Sequence, residues 1–264
     1  MKPNAPRRAQ LFATCLIETL RPEAGMAVVR VLEKLGVSVE YPQGQTCCGQ
    51  PAFNAGAWDD ARAMAKYTLD VLSKSNAPIV VPSGSCADML AHHYPEILAS
   101  DPKYGALAET IAARTFEFSQ FLVDVLGITR LTPDVSRSTH HVSRVTYHPS
   151  CHLLRGLHIT EPPRKLLENV EGAQVIELPQ ETECCGFGGL FAIKMADISS
   201  AMLDRKLDAI ESTHAQTVVG CDVSCLLHIG GGLHRRGDNI ETKHLAEILD
   251  PAPKIQVTQE IYLP

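Results

Sequence analysis

Nine cysteines are spread along this 264-residue chain in an order that repeats. Cys15, the adjacent pair Cys47-Cys48 and Cys86 are answered later by Cys151, the pair Cys184-Cys185 and Cys225, with Cys221 left over. Thirty-one residues separate Cys15 from Cys47 and 32 separate Cys151 from Cys184. The intervals from Cys48 to Cys86 and from Cys185 to Cys225 are 37 and 39 residues. Each pair precedes a glycine, Gly49 or Gly186, and follows a proline, Pro42 or Pro179, by five positions. The echo also covers residues other than cysteine. The segment 28–36 is answered by 164–172, Val39–Pro42 by Val175–Pro179, and Ile79–Val81 by Thr217–Val219. An internal duplication with an offset of about 136 to 139 residues accounts for the whole order. Such a chain folds as two similar units, expected at residues 1–139 and 140–264.

Local patterns give each unit the same elements. Gln10–Thr14, Val37–Tyr41 and Ile79–Val81 read as short buried strands, as do Val145–His148, Gln174–Leu178 and Thr217–Val219. Amphipathic helices are expected at Glu23–Leu35, Trp58–Lys74, Pro163–Val170 and Phe191–Thr213, with Pro22 and Pro162-Pro163 at helix starts and Gly36 and Gly172 at helix ends. A further helix, Ala106–Leu126, packs on the first unit, and Thr132–Val142 reads as the linker. Strand–helix alternation predicts an α/β fold of two Rossmann-like βαβ halves with parallel sheets. Each cysteine site then follows a strand at its carboxyl end, where open α/β sheets place their ligands.

Composition narrows the function. A formal net charge of −6 with interspersed signs argues against a nucleic-acid binder, and Arg7-Arg8 and Arg235-Arg236 are too short to form a basic face. No apolar run reaches the roughly 18 residues of a membrane span, and the polar start lacks a signal peptide's apolar core. The expected location is the cytoplasm, where thiols stay reduced and a cysteine-rich chain more often binds metal than forms disulfides.

Adjacent cysteines cannot readily bond to each other. At a tight turn opened by Gly49 or Gly186, however, both sulfurs of a pair can face one multi-iron cluster. Cysteine, pair and cysteine supply four thiolates per half, the complement of a [4Fe–4S] cluster, one or two per chain. Amides of the glycine-rich turn 184–189 are candidates to donate to cluster sulfur. Structural zinc on C-x₂₋₄-C knuckles and buried structural cysteines are the competing readings; only Cys221–Cys225 has a knuckle's spacing.

These motifs make the chain resemble the cysteine-rich, or CCG, domain family, which includes a subunit of heterodisulfide reductase and the iron–sulfur subunit of glycolate oxidase. Residues 44–54, Pro82–Cys86, Cys184–Gly189 and Ser224–Gly231 look most like its lactate-utilisation group. The resemblance implies cluster ligands at Cys15, Cys47, Cys48 and Cys86, and at Cys151, Cys184, Cys185 and Cys225. It also implies an electron-transfer subunit that oxidises L-lactate to pyruvate with two partner proteins, an iron–sulfur subunit and a small companion, and an onward electron acceptor. Glycolate is the rival substrate. The fuller family pattern ends each half with C-x-x-C, but Ser83 and Asp222 stand three residues before Cys86 and Cys225 here. That departure counts against direct reduction of a disulfide substrate. Cys221, one position out of register, is either a substitute ligand or a buried bystander.

No nicotinamide or flavin fingerprint is present, since neither Gly186–Gly189 nor Gly230–Gly232 reads G-x-G-x-x-G. No catalytic residue is assigned. His148, His152 and His228 sit beside cysteine motifs as candidate sulfur donors, ligands or proton carriers, and Arg155 as a candidate carboxylate contact.

Overall fold

The computed structural model describes residues 1–131 and 144–250, so the expected linker at Thr132–Val142 lies outside the described residues. Two four-stranded sheets form, both fully parallel and both with the same order. In the first, β1 (Arg8–Leu11) and β3 (Ile79–Val81) are central, flanked by β2 (Ser38–Glu40) and β4 (Thr115–Glu117). In the second, β5 (Arg144–His148) and β7 (Thr217–Gly220) are flanked by β6 (Gln174–Ile176) and β8 (Glu241–His244). Gln10 pairs with Ile79 in one sheet and Val145 with Thr217 in the other, so the duplicated segments occupy matching places.

Parallel strands need crossover helices that cover both faces, which explains why β3 and β7 are buried at every residue. The helix Pro22–Lys34 joins β1 to β2 and opens on proline, whose missing N–H costs nothing there. It buries Ala24, Ala27, Val28, Val31 and Leu32, the 3.6-residue stripe that a sheet-covering helix requires. Trp58–Leu72 returns the chain from β2 to β3 and buries Ala61, Ala65, Thr68, Leu69 and Leu72.

Expectation and structure differ in several places; the first strand, expected at Gln10–Thr14, is Arg8–Leu11, and the helix Val223–Arg236 is not among those expected. The expected helix Ala106–Leu126 is split into Gly105–Ala112, strand β4 and further helical turns through Val125. Its partner β8 is equally unannounced. The expected helix Phe191–Thr213 is interrupted at Met195, which leaves the helical region at φ −125°, and runs as Phe191–Lys194 and Ala196–Ser212.

One core cluster spans both halves, holding Val28, Phe121 and Leu122 with Tyr147, Leu153, Leu166 and Leu245. Separate clusters lie beneath each sheet's outer side, one around Phe12, Leu69 and Tyr94, the other around Leu203, Leu207 and Ile229. Polar clamps add direction at the seam. Arg30 Nε donates to Asp250 at 2.8 Å, and Arg21 Nη2 donates to the Thr242 carbonyl at 2.8 Å. Among the described residues no helix is long and apolar enough to cross a membrane.

Candidate metal centre

The strand order places β1 and β3 on either side of a topological switch point, and chains leaving them diverge around a crevice. Cys15 opens the helix Cys15–Leu20 directly after β1, and Cys86 sits in the first turn of Gly84–Asp88 after β3. Cys47 and Cys48 follow β2 in the turn before Gln50–Asn54. The second half repeats this placement, with Cys151 after β5, Cys184 and Cys185 after β6, and Cys225 in the first turn of Val223–Arg236 after β7.

The thiols of each half form a linked chain. Cys48 Sγ and Cys86 Sγ are 3.3 Å apart, as are Cys185 Sγ and Cys225 Sγ. Cys47 hydrogen-bonds both Cys15 and Cys48, and Cys184 both Cys151 and Cys185. All nine cysteines are free. The hydrogen bond from Cys15, then that from Cys48, pushes the Cys47 thiol down to about 3, and Cys184 falls to about 2 through Cys151 and Cys185. Their donors Cys15, Cys48, Cys151 and Cys185 are pushed up in return. Hydrogen bonds among the thiols of each set therefore favour holding one of them as thiolate, and a cation beside it.

The turns that create this geometry require glycine. Gly49 has φ +86° and Gly186 φ +89°, a region that costs other residues roughly 1–2 kcal/mol. The Gly186 amide donates to Cys184 Sγ at 3.4 Å, and the Gly49 amide donates to Cys47. Thr14, just before Cys15, also has positive φ, +66° with ψ 142°, so local strain adjoins the first set.

Both sets open on one cleft. Its walls include all eight cysteines of the two C–CC–C patterns, together with Gln50, Asn54, Ser83, Ser85, Ser150, His152, Phe187 and Asp222. Cys221 is not in the wall. It is fully buried between the halves, 3.9 Å from the Tyr147 hydroxyl, with its carbonyl receiving the Gly84 amide. Four convergent soft donors per half, free of disulfides and supplied with amide donors, fit a metal or iron–sulfur group.

The neighbouring histidines divide. His152 lines the cleft and places Nδ1 2.8 Å from the buried Asp88 carboxylate of the other half. His228 packs edge-on against Phe187, with Nε2 3.5 Å from Ser199 Oγ. His148 brings a ring nitrogen within 4.8 Å of the Cys185 and Cys225 sulfurs, and burial, then Lys206, pushes its imidazole down to about 3. Arg155 is engaged with the Thr182 carbonyl at 2.7 Å. Asp88 and Lys206 carry no motif in the sequence, because their roles depend on how distant segments dock. Ser83 and Asp222, visible only as departures from the family pattern, meet across the halves at 3.3 Å.

Residues 9–91 and 145–230 each match the Cysteine-rich domain (CCG) family. The chain is 44% identical over 242 residues to lactate utilization protein A 2 of Bacillus cereus strain Q1, covering 92% of this chain and 97% of that one. It is 43% identical over 243 residues to lactate utilization protein A of Macrococcus caseolyticus, covering 92% and 96%. Among solved structures, a hypothetical protein from Helicobacter pylori shares the fold with a TM-score of 0.64 at 10% identity; the alignment covers 95% of this chain and 50% of that one. The duplicated sheets, the paired thiol sets and these similarities together show that the chain belongs to the CCG cysteine-rich domain family, within the group of lactate utilization A proteins.

Proposed function

We propose that each thiol set holds an iron–sulfur cluster of the [4Fe–4S] type and that the chain is the electron-transfer subunit of a complex oxidising L-lactate to pyruvate. The observation that carries this reading is the convergence of two four-thiol sets on one cleft. Clusters bound there supply one-electron acceptance and release. Cys15, Cys47, Cys48 and Cys86 hold one group, and Cys151, Cys184, Cys185 and Cys225 the other, with Cys221 structural. Backbone amides of Leu16, Gly49, Gly186 and Phe187 donate to sulfur and stabilise added negative charge. The buried ring of Phe12 and the side chains around Leu203 keep water from the inner faces of the two sets.

Removing two electrons from a hydroxy acid needs an acceptor near the substrate carbon. The sequence carries no nicotinamide or flavin fingerprint, and the resemblance to lactate utilization proteins implies two companion proteins, one itself an iron–sulfur subunit, that present the substrate and pass electrons on. The names borne by the relatives support lactate, with glycolate as the rival. Nine free thiols suit a cytoplasmic site.

Protein purified without oxygen is expected to contain iron and acid-labile sulfide with broad visible absorption. Cys48→Ser and Cys185→Ser are each expected to lose roughly half of both, because a serine oxygen is a poor ligand for soft metals. Colourless protein with bound zinc would overturn the reading. Zinc is the second reading because His148, Cys185 and Cys225 present a three-donor arrangement that it also accepts. Growth of a deletion strain on L-lactate or on glycolate separates the substrates.

A further inference from the structure

His148 ends β5, three residues before Cys151, and is 1% exposed. Neither Nδ1 nor Nε2 has a hydrogen-bond partner among the described residues. Native interiors seldom leave a buried polar ring without any partner, since each unmet group costs free energy. The ring is aimed at a definite place: one of its nitrogens and the sulfurs of Cys185 and Cys225 all lie within 4.8 Å of one another.

The duplication supplies an internal control. With the offset of 136 residues that relates Cys15 to Cys151, the counterpart of His148 is Phe12. Phe12 is also fully buried, and it packs in the cluster that contains Cys48 and Cys86. The fold thus accepts a plain hydrocarbon ring at this position, so packing alone does not require imidazole. What imidazole adds is a nitrogen lone pair facing two thiols.

We propose that His148 is a nitrogen ligand of the second centre, taking the iron position of one of its four cysteines, so that sulfur alone holds the first group while three thiolates and an imidazole hold the second. The proposal rests on the iron–sulfur reading given above. It makes the centres unlike in spite of the duplication. A neutral imidazole brings no negative charge where a thiolate brings one, and replacing thiolate with histidine raises cluster potentials. The second centre is therefore the first to be reduced.

The test uses full-length protein purified without oxygen, carrying ¹⁵N-labelled histidine, reduced and studied by pulsed EPR, with iron and sulfide measured on the same sample. A strongly coupled histidine nitrogen is expected in the wild type and in Cys48→Ser, which lacks the first centre. The coupling is expected to vanish in His148→Phe, with one of the two reduction potentials falling and the other unchanged. It must survive in His152→Ala and His228→Ala, which decides the assignment should His148→Phe fail to fold. Iron and sulfide in both halves with no strongly coupled histidine nitrogen overturns the proposal alone. Absence of iron and sulfide overturns it together with the reading on which it rests.

Discussion

Ser83 donates its hydroxyl to the Asp222 carboxylate across the boundary between the halves, at 3.3 Å. The same carboxylate receives the backbone amide of Ser85 at 2.9 Å and the Ser224 hydroxyl at 2.6 Å. Asp222 is 2% exposed and also accepts the Ser224 amide, so it caps Val223–Arg236 while gripping the turn that carries Cys86. One side chain thereby fixes the spacing of the two sets. Asp222→Ala leaves the buried Ser85 amide without its acceptor and removes the helix cap, and is expected to lower stability by about 3 kcal/mol. Denaturant unfolding of the apo-protein reads this directly, and a loss below about 1 kcal/mol would show that the grip is dispensable.

The duplicated cysteine order together with the strand and helix patterns predicted two parallel α/β units with thiols at strand ends, because strand periodicity, helix stripes and ligand spacing are all local signals. Strands β4 and β8 escaped for a physical reason. Thr115–Glu117 is three residues long within a stretch of helical character, and Glu241–His244 is a polar edge strand without alternation. Ser83, Asp222, Asp88 and Lys206 acquire their meaning only when the halves dock, which no local pattern records. His148 could be suspected from its motif, but its distinction from Phe12 needed the burial of both rings.

The two glycine turns should differ in tolerance. A Cβ at Gly186 would meet the Ser199 carbonyl oxygen at 2.6 Å, a backbone atom that cannot swing away. At Gly49 the nearest neighbour is Met64 Cβ at 3.3 Å. Both substitutions to alanine carry the positive-φ penalty of roughly 1–2 kcal/mol. Gly186→Ala adds a clash and is expected to cost about 3 kcal/mol or more, with loss of the second centre's iron. Equal iron retention in the two variants would contradict this.

Glu117 gives stability a defined pH dependence. It is fully buried, and Oε1 has no hydrogen-bond partner among the described residues. Burial pushes its carboxyl up from 4.5 to about 7, against the donors Ser119 and Gln120 and with some help from the Asp222 charge. Below 4.5 the folded and unfolded chains both hold the proton, so this group contributes no slope. Between 4.5 and about 7 only the folded chain keeps it, so stability falls as pH rises, and above about 7 the loss is complete. The total is on the order of 3 kcal/mol. Glu117→Gln should flatten unfolding free energy across this window and be more stable than wild type at pH 8; an unchanged slope would remove Glu117 as its source.

Lys206 should set part of the second centre's potential. It is 1% exposed, and its Nζ donates to the carbonyls of Gln180 at 3.1 Å and Glu181 at 3.2 Å, in the loop leading to Cys184. Burial pushes its ammonium pKa down, while Glu183, then Cys185, Cys184 and Cys225, act to hold the charge. Along the helices Trp58–Leu72 and Ala196–Ser212 the buried stripes match position by position, which puts Thr68 in the corresponding place of the first half. The first set therefore lacks this cation. A positive charge near an electron acceptor favours the reduced state, so Lys206→Met should lower the second centre's potential by on the order of 50–100 mV. Iron and sulfide content should not change, because the lysine supplies no ligand. Redox titration followed by EPR separates the two centres, and the first should not move. An unshifted second centre at full iron content would mean that solvent and the loop carbonyls already screen the ammonium from the sulfur atoms.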